Sequence, residues 1–352
     1  VGAARRRLAR ASAPAYRADL TSIVIRRTLT TALRALAAAL LAVLAPAGSA
    51  VAQDFPDRPV HLVVPFPPGG GADILARTVA PRLAQSLGKP VVVENRPGAG
   101  GNVGAEYVAR AAADGYTLLY GTNGTHGINA SLYRNLRHDP LRDFIPVSRM
   151  TTIAAMLIVN PKFPAGTVGE LIAYAKDNPG KVNFASAGNG TTSHLAGELF
   201  KTMAGIDIVH VPYRGGALAV TDLMAGQVQM MIDVMPNALP LARDGRARGI
   251  AVSTATRYPG APEYPTIAES GLPGFEASAW DGIFVPAGTP APVVGRLNAA
   301  IRETLDDPQI AEALRARGAQ PMPNSPEAFA RHVADSAEKW ARAVRASGAK
   351  ID

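Results

Sequence analysis

The chain contains no cysteine. That absence removes thiol nucleophiles, thiolate metal sites and disulfides together, and with them the lipid-bearing cysteine of a bacterial lipoprotein. Aromatic residues are scarce, at 6%, and are not interleaved with basic ones as single-strand nucleic-acid binding requires. The first 52 residues hold eight of the 36 basic residues and one of the 28 acidic ones, leaving 28 against 27 in the remainder. The overall charge of +8 therefore belongs to the N-terminus, and no nucleic-acid partner is expected. There is no Gly-Lys-Ser/Thr, which excludes a P-loop, and neither a Gly-x-Ser-x-Gly elbow nor a spaced His pair. No catalytic residue, metal or cofactor is expected.

What is present at the N-terminus reads as an export signal. Arg26 and Arg27 precede an apolar Ala/Leu run over 29–44, and Ala50-Val51-Ala52 offers a small-x-small cleavage site before Gln53. Arg34 breaks the run, and Pro46 and Gly48 close it, short of the roughly 20 apolar residues of a spanning helix. Arg26-Arg27 followed by Thr28-Leu29-Thr30 is a partial twin-arginine pattern. Residues 1–23 precede the basic pair, and initiation nearer Val24 is expected. The mature part, about 300 residues, suffices for two ordinary domains, and its expected location is the periplasm.

From residue 60 to about 255, short apolar runs alternate with segments of helical composition. Strands are predicted at 60–66, 91–94, 117–120, 182–185, 208–211, 229–233 and 249–253, and helices at 72–87, 103–113, 168–178, 193–204, 217–225 and 236–243. Such alternation predicts an α/β fold of βαβ units, with parallel sheets covered by helices on both faces. From Pro290 onward the pattern is wholly helical, with Leu297, Ile301 and Leu305 on one stripe and Phe329, Val333, Ala337 and Trp340 on another. Two long extended stretches, 145–160 and 275–286, break the alternation. They are read as crossings between two Rossmann-like domains, giving a two-strand hinge. One lobe is then 53–155 plus 282–352, and the other 156–281.

Two loops carry the functional argument. Val64-Pro65-Phe66-Pro67-Pro68-Gly69-Gly70-Gly71-Ala72-Asp73 runs from a strand through three glycines into a helix, leaving N–H groups at the helix start open to an anion. Asp73 either orients this loop or serves only the helix start, pairing with Arg77. In the other lobe, Ser186-Ala187-Gly188-Asn189-Gly190-Thr191-Thr192-Ser193 leads into a helix, with Thr192 or Ser193 placed to cap it. Each loop lies at a strand's carboxyl end, where open α/β sheets bind ligands. Neither contains Lys or Arg, which favours a small carboxylate over a phosphate-rich ligand. The expected contacts are Phe66, Pro68, Gly69, Gly70, Asp73, Thr122, Asn123, Asn189, Gly190, Thr191, Thr192, Ser193 and Asp233, while Tyr120, Tyr213 and Arg214 are further polar residues at strand ends.

Two patterns imitate other sites. Gly98-Ala99-Gly100-Gly101-Asn102-Val103-Gly104 follows a strand like a dinucleotide fingerprint, but its third glycine is displaced and no acidic residue closes the next strand. It is read as a structural turn. His194 and Glu198 stand one helical turn apart, yet no third metal ligand lies near them in sequence.

At these residues the chain resembles the Bug-type substrate-binding proteins of tripartite tricarboxylate transporters. The likeness runs through Phe-Pro-x-Arg-Pro at 55–59, the Val-Pro-Phe-Pro-Pro-Gly-Gly loop with Asp73, and Glu94-Asn95-Arg96-Pro97-Gly98-Ala99-Gly100-Gly101. It continues in Asp114-Gly115-Tyr116-Thr117-Leu118, Ser193-His194-Leu195-Ala196-Gly197-Glu198, Val211-Pro212-Tyr213-Arg214-Gly215-Gly216 and Pro286-Ala287-Gly288-Thr289-Pro290, and so spans the mature chain. The resemblance implies a two-lobed type II periplasmic-binding-protein fold. It implies a ligand carboxylate held between the two loops, partly through water, and delivery to membrane transporter subunits by a monomeric receptor. The competing readings are an exported α/β enzyme acting on a small carboxylic acid and a scaffold without a small ligand. N-terminal sequencing of protein from its native host should return a chain starting near Gln53; a mature protein that keeps Arg5 to Arg7 contradicts the export signal as read.

Overall fold

The computed structural model describes residues 55–347, so the export signal read above lies outside the described residues. Val60–Val64 (β1), Val91–Asn95 (β2) and Thr117–Thr122 (β3) pair in parallel around β1. Phe144–Ile153 (β4), Ala279–Pro286 (β10) and Ala319–Pro321 (β11) complete a six-stranded sheet of order β11-β4-β10-β3-β1-β2. A second sheet of order β7-β6-β8-β5-β9 contains Ala155–Val159 (β5), Asn183–Ser186 (β6), Val209–Pro212 (β7), Met230–Val234 (β8) and Arg248–Val252 (β9).

Both faces of each sheet are buried, which is why the strands read as continuous apolar runs rather than alternating ones. In the first sheet Val60, Leu62 and Val64 pack with Leu75, Val79 and Leu83 of helix Gly71–Leu87 (α1) and with Leu297, Ile301 and Leu305. Val63 points the other way, toward Ala105 and Val108 of helix Asn102–Ala109 (α2) and toward Phe329 and Val333. The second sheet repeats the design. Leu157, Val159 and Ile232 pack on helices Val168–Asp177 and Thr192–Ala204, while Met156, Ile158 and Met231 pack on helices Gly216–Ala225 and Met235–Arg243.

Three local expectations need correction. The sheets are mixed, because β10 runs antiparallel to β3 and β4, and β5 antiparallel to β8 and β9. The stretches read as crossings are themselves sheet strands, and a strand leaving a sheet beside one returning to it runs in the opposite direction. The C-terminal region is not wholly helical: between helices Pro308–Arg315 and Pro326–Ser347, residues Ala319–Pro321 form an edge strand on β4. The helix expected over 103–113 ends at Ala109, before residues that lead down to the turn at Gly115.

The chain passes from one sheet to the other through Ala154 alone, between β4 and β5. It returns between β9 and β10, and Ser253 clasps the passage: its hydroxyl accepts from Ala155 N (3.1 Å) and donates to the Ala277 carbonyl (2.7 Å). Beside this passage Gly282 lies in β10, where an added Cβ would strike the Phe329 ring and lie 2.8 Å from the Ser148 carbonyl. Backbone cannot yield as a side chain can, so Gly282→Ala is expected to cost about 1–3 kcal/mol in denaturant titration. Gly169→Ala, in an exposed helix turn with nothing near the new Cβ, is the contrasting control and is expected to stabilise by about 0.5–1 kcal/mol.

Candidate functional site

The first glycine loop is held from beneath. Gly70 is the N-cap of α1, with φ −81° and ψ 166° and no side-chain cap. Asp73 reaches back instead. Its Oδ2 accepts from Gly69 N at 2.9 Å, and its Oδ1 accepts from Arg77 Nε and Asn95 Nδ2, each at 2.9 Å. Asn95 Nδ2 also donates to the Phe66 carbonyl at 3.0 Å, so the carboxyl and the amide fix both ends of the loop. Burial pushes the Asp73 carboxyl upward, but the hydrogen bonds from Arg77, Gly69 and Asn95 outweigh it and hold the group below its usual range. The N–H groups of Gly71 and Ala72, in the first helical turn, have no intrahelical acceptor and carry the positive end of the helix dipole.

The second loop packs onto the first sheet's side through main chain and side chains alike. Its helix is capped by Thr191 rather than by Thr192 or Ser193: Thr191 Oγ1 accepts from His194 N (3.4 Å) and donates to the Gly188 carbonyl (2.6 Å). That frees the next two hydroxyls for other work. Ser193 Oγ accepts from Ala187 N at 2.9 Å, and Thr192 Oγ1 donates to Asn123 Oδ1 at 3.1 Å, bridging the two sheets' loops. The Nδ2 of Asn123 is buried and has no acceptor. Tyr133 OH donates to the Asn189 carbonyl at 3.3 Å. Gly190, at φ +79°, passes so close to Asn129 that a Cβ would collide with its Oδ1, and a Cβ on Gly100, at φ +63°, would collide with the Asn189 carbonyl.

Between the loops lies a cavity of about 90 Å³. The first sheet's side contributes Phe66, Gly70, Gly71, Ala72, Tyr120, Thr122 and Asn123; the crossing strands contribute Ile153, Trp280 and Asp281. Ala187, Thr191, Thr192, Ser193, Gly216, Ala217, Asp233 and Val234 close it from the second. No Lys, Arg or His is among its lining residues.

Of the residues expected from the sequence, the structure brings Phe66, Gly70, Thr122, Asn123, Thr191, Thr192, Ser193 and Asp233 to this cavity. It leaves others outside. Pro68 and Gly69 are exposed on the loop, Asp73 lies beneath it, and Gly190 packs on Asn129. Asn189 lines an adjoining outer cavity of about 690 Å³, together with Tyr213, Arg214 and the glycines 98, 100 and 101. The sequence reading missed Trp280 and Asp281, whose only signal was their place in a crossing stretch, and Gly216 and Ala217 at a helix start.

Two carboxyls line the cavity and differ in how they are satisfied. Asp281 accepts from Thr151 N (2.9 Å), from Thr151 Oγ1 (2.7 Å) and from the Tyr120 hydroxyl. Asp233 accepts one bond on each oxygen, from Val234 N and Asn237 Nδ2. Burial pushes both groups up to about 6, against the pull of those hydrogen bonds.

The expectation that His194 and Glu198 lack a third neighbour is overturned, since β7 brings His210 alongside and the ligand atoms of all three lie within 4.8 Å of one another. The two imidazoles stack with centroids 4.2 Å apart. His194 Nδ1 accepts from Gly190 N (3.3 Å), and His210 Nε2 bonds Ser186 Oγ (2.7 Å). Burial holds their pKa values down, to about 4 for His194 and about 3 for His210. As placed, the pair is a neutral stack under the second loop.

Comparison with known proteins fits this geometry. The family profile described as Tripartite tricarboxylate transporter family receptor matches residues 75–349. Protein BugT of Bordetella pertussis is 40% identical over 301 residues, covering 85% of this chain and 92% of its own. An R. palustris protein solved with adipate superposes with a TM-score of 0.83 at 40% identity, over 84% of this chain and 100% of its own. MatC from Rhodopseudomonas palustris, solved with bound malate, gives a TM-score of 0.79 at 38% identity, over 82% and 100%. The chain therefore belongs to the tripartite tricarboxylate transporter receptor family, a family of transport receptors and not of enzymes, and has the two-lobed fold of its periplasmic binding proteins.

Proposed function

We propose that this protein is a periplasmic receptor that captures a small carboxylate in the cavity between its lobes. It delivers that ligand, as a monomer, to the membrane subunits of a tripartite tricarboxylate transporter. The observation that carries the reading is a cavity wall without a cation that nonetheless offers hydrogen-bond donors. These are the open N–H groups at the start of α1 and the unpaired Asn123 amide. A carboxylate satisfies such donors through charge-assisted bonds, whereas a polyphosphate would leave more charge than these neutral donors offset. Adipate and malate, held by two relatives, are small carboxylates of this kind.

The lobes in this reading are 53–155 with 282–352, and 156–281. They swing about the passage at Ala154 and the Ser253 clasp, and ligand between the two loops favours the closed arrangement. Export through the N-terminal signal places the receptor where it meets solute before the membrane subunits do.

The test is a thermal melt with each carboxylate of a panel, run beside its amide. At a hundredfold excess over its dissociation constant a true ligand stabilises by about 2.7 kcal/mol, and the amide should do nothing; equal shifts from acid and amide contradict anion recognition. Gly70→Val tests the loop itself. The backbone at Gly70 is extended, and a new Cβ meets only the Pro67 carbonyl, at 3.6 Å, so the variant should fold. Its side chain would crowd the cavity, and overpacking of about 1–3 kcal/mol is about ten- to hundredfold in affinity by titration calorimetry. Wild-type affinity in folded Gly70→Val places the anion elsewhere. Asp73→Ala, which removes the tie beneath the loop, should cost about 1–2 kcal/mol of stability with a smaller loss of affinity.

A further inference from the structure

The cavity wall holds two complementary deficits, and together they describe the ligand more narrowly than "carboxylate". One is a donor without an acceptor: Asn123 is 1% exposed, its Oδ1 is taken by Thr192, and its Nδ2 is unpaired. The other is an acceptor with capacity to spare. Asp233 is 3% exposed, and each of its oxygens accepts a single hydrogen bond, although a carboxylate oxygen has room for two. The other carboxyl in the lining, Asp281, is different, being engaged by three donors from Thr151 and Tyr120.

No cation offsets Asp233. Among the described residues it forms no ion pair with Lys or Arg, and the cavity lining contains neither. A ligand bearing only carboxylates would satisfy Asn123 and the α1 N–H groups but would set like charge against the buried Asp233, where charges are weakly screened. A ligand that also carries an N–H or O–H donor satisfies both deficits at once.

Resting on the receptor reading above, we propose that Asp233 is a specificity-determining residue that selects carboxylates bearing a hydrogen-bond donor, an ammonium group before a hydroxyl, over plain carboxylates of the same skeleton. Asn237, which donates to Asp233 Oδ2, and Val234 N, which donates to Oδ1, fix the carboxyl so that its remaining acceptor capacity is offered to the ligand. Buried polar groups left unpaired by the wrong ligand are what make such discrimination steep.

The experiment is calorimetric titration with matched triads that share one carbon skeleton and differ in one group: L-glutamate, 2-hydroxyglutarate and glutarate; L-aspartate, malate and succinate; and 2-aminoadipate, 2-hydroxyadipate and adipate. In the triad that fits, the amino acid should bind at least about tenfold more tightly than the plain acid, with the hydroxy acid between, as one extra satisfied polar group predicts. In Asp233→Asn, an isostere with a single acceptor oxygen, the gap should shrink to threefold or less. The comparison within wild type needs no variant, so a poorly folding Asp233→Asn does not remove the test. A plain acid that binds wild type as tightly as its amino partner overturns the proposal, and so does a gap that survives Asp233→Asn in folded protein. Those outcomes leave the receptor reading intact. If no member of any triad binds, while monocarboxylates and aromatic acids are also silent, the receptor reading itself fails and takes this inference with it.

Discussion

The buried carboxyl of Asp281 joins three strands at the point where the chain passes between the sheets. It sits in β10, takes two hydrogen bonds from Thr151 of β4 and one from Tyr120 of β3, feels the charge of the Arg149 guanidinium, and makes no ion pair among the described residues. An isolated carboxylate in such a place would be costly, so the three donors and the shift toward protonation are the conditions of its presence. Because β4 continues through Ala154 into β5, whatever fixes β4 against β10 also fixes where the second sheet begins. The floor of the cavity, Trp280 and Asp281 with Ile153, belongs to this same strip.

From that floor the wall chemistry follows with few choices. Helix starts stabilise an anion through fixed dipoles, without the long flexible stems of Lys or Arg. A dipole wall has two consequences. It discriminates by geometry, since each N–H points one way, and it leaves the net charge of the enclosure to the acidic residues, here Asp233 and Asp281. A receptor with an arginine in the wall would tolerate a second ligand charge; this one is poorly suited to it unless the ligand brings a donor of its own.

How much of this was legible in the sequence depended on whether the cause was local. The strand at 60–64 and the glycine turn after it were readable because period, turn chemistry and helix start are all written within about a dozen residues. The Thr/Ser loop was readable for the same reason, although the cap fell on Thr191, one residue earlier than expected, because Ser193 turns to Ala187 and Thr192 to Asn123. What escaped was non-local. Asp281 acquires its role from Tyr120, 161 positions away, and nothing beside it announces that. The antiparallel pairings and the short β11 depend on which strands meet after the chain has crossed, and His210 reaches His194 only because β7 lies beside β6. The outer members of the expected contact set, Pro68, Gly69 and Asp73, were right as parts of the loop and wrong as neighbours of the cavity: the loop presents its far side there.

The second loop meets the first sheet's side through glycine backbone and a few side chains. Gly100 faces the Asn189 carbonyl, Gly190 lies against Asn129, and Tyr133 reaches the same carbonyl. The residues of this contact, Gly100, Asn129, Tyr133, Asn189 and Gly190, are not among those that line the enclosure. A lineage can therefore exchange a lining residue such as Ala217 and retune which solute is retained with that contact intact. One scaffold can diversify into many receptors that differ in diet.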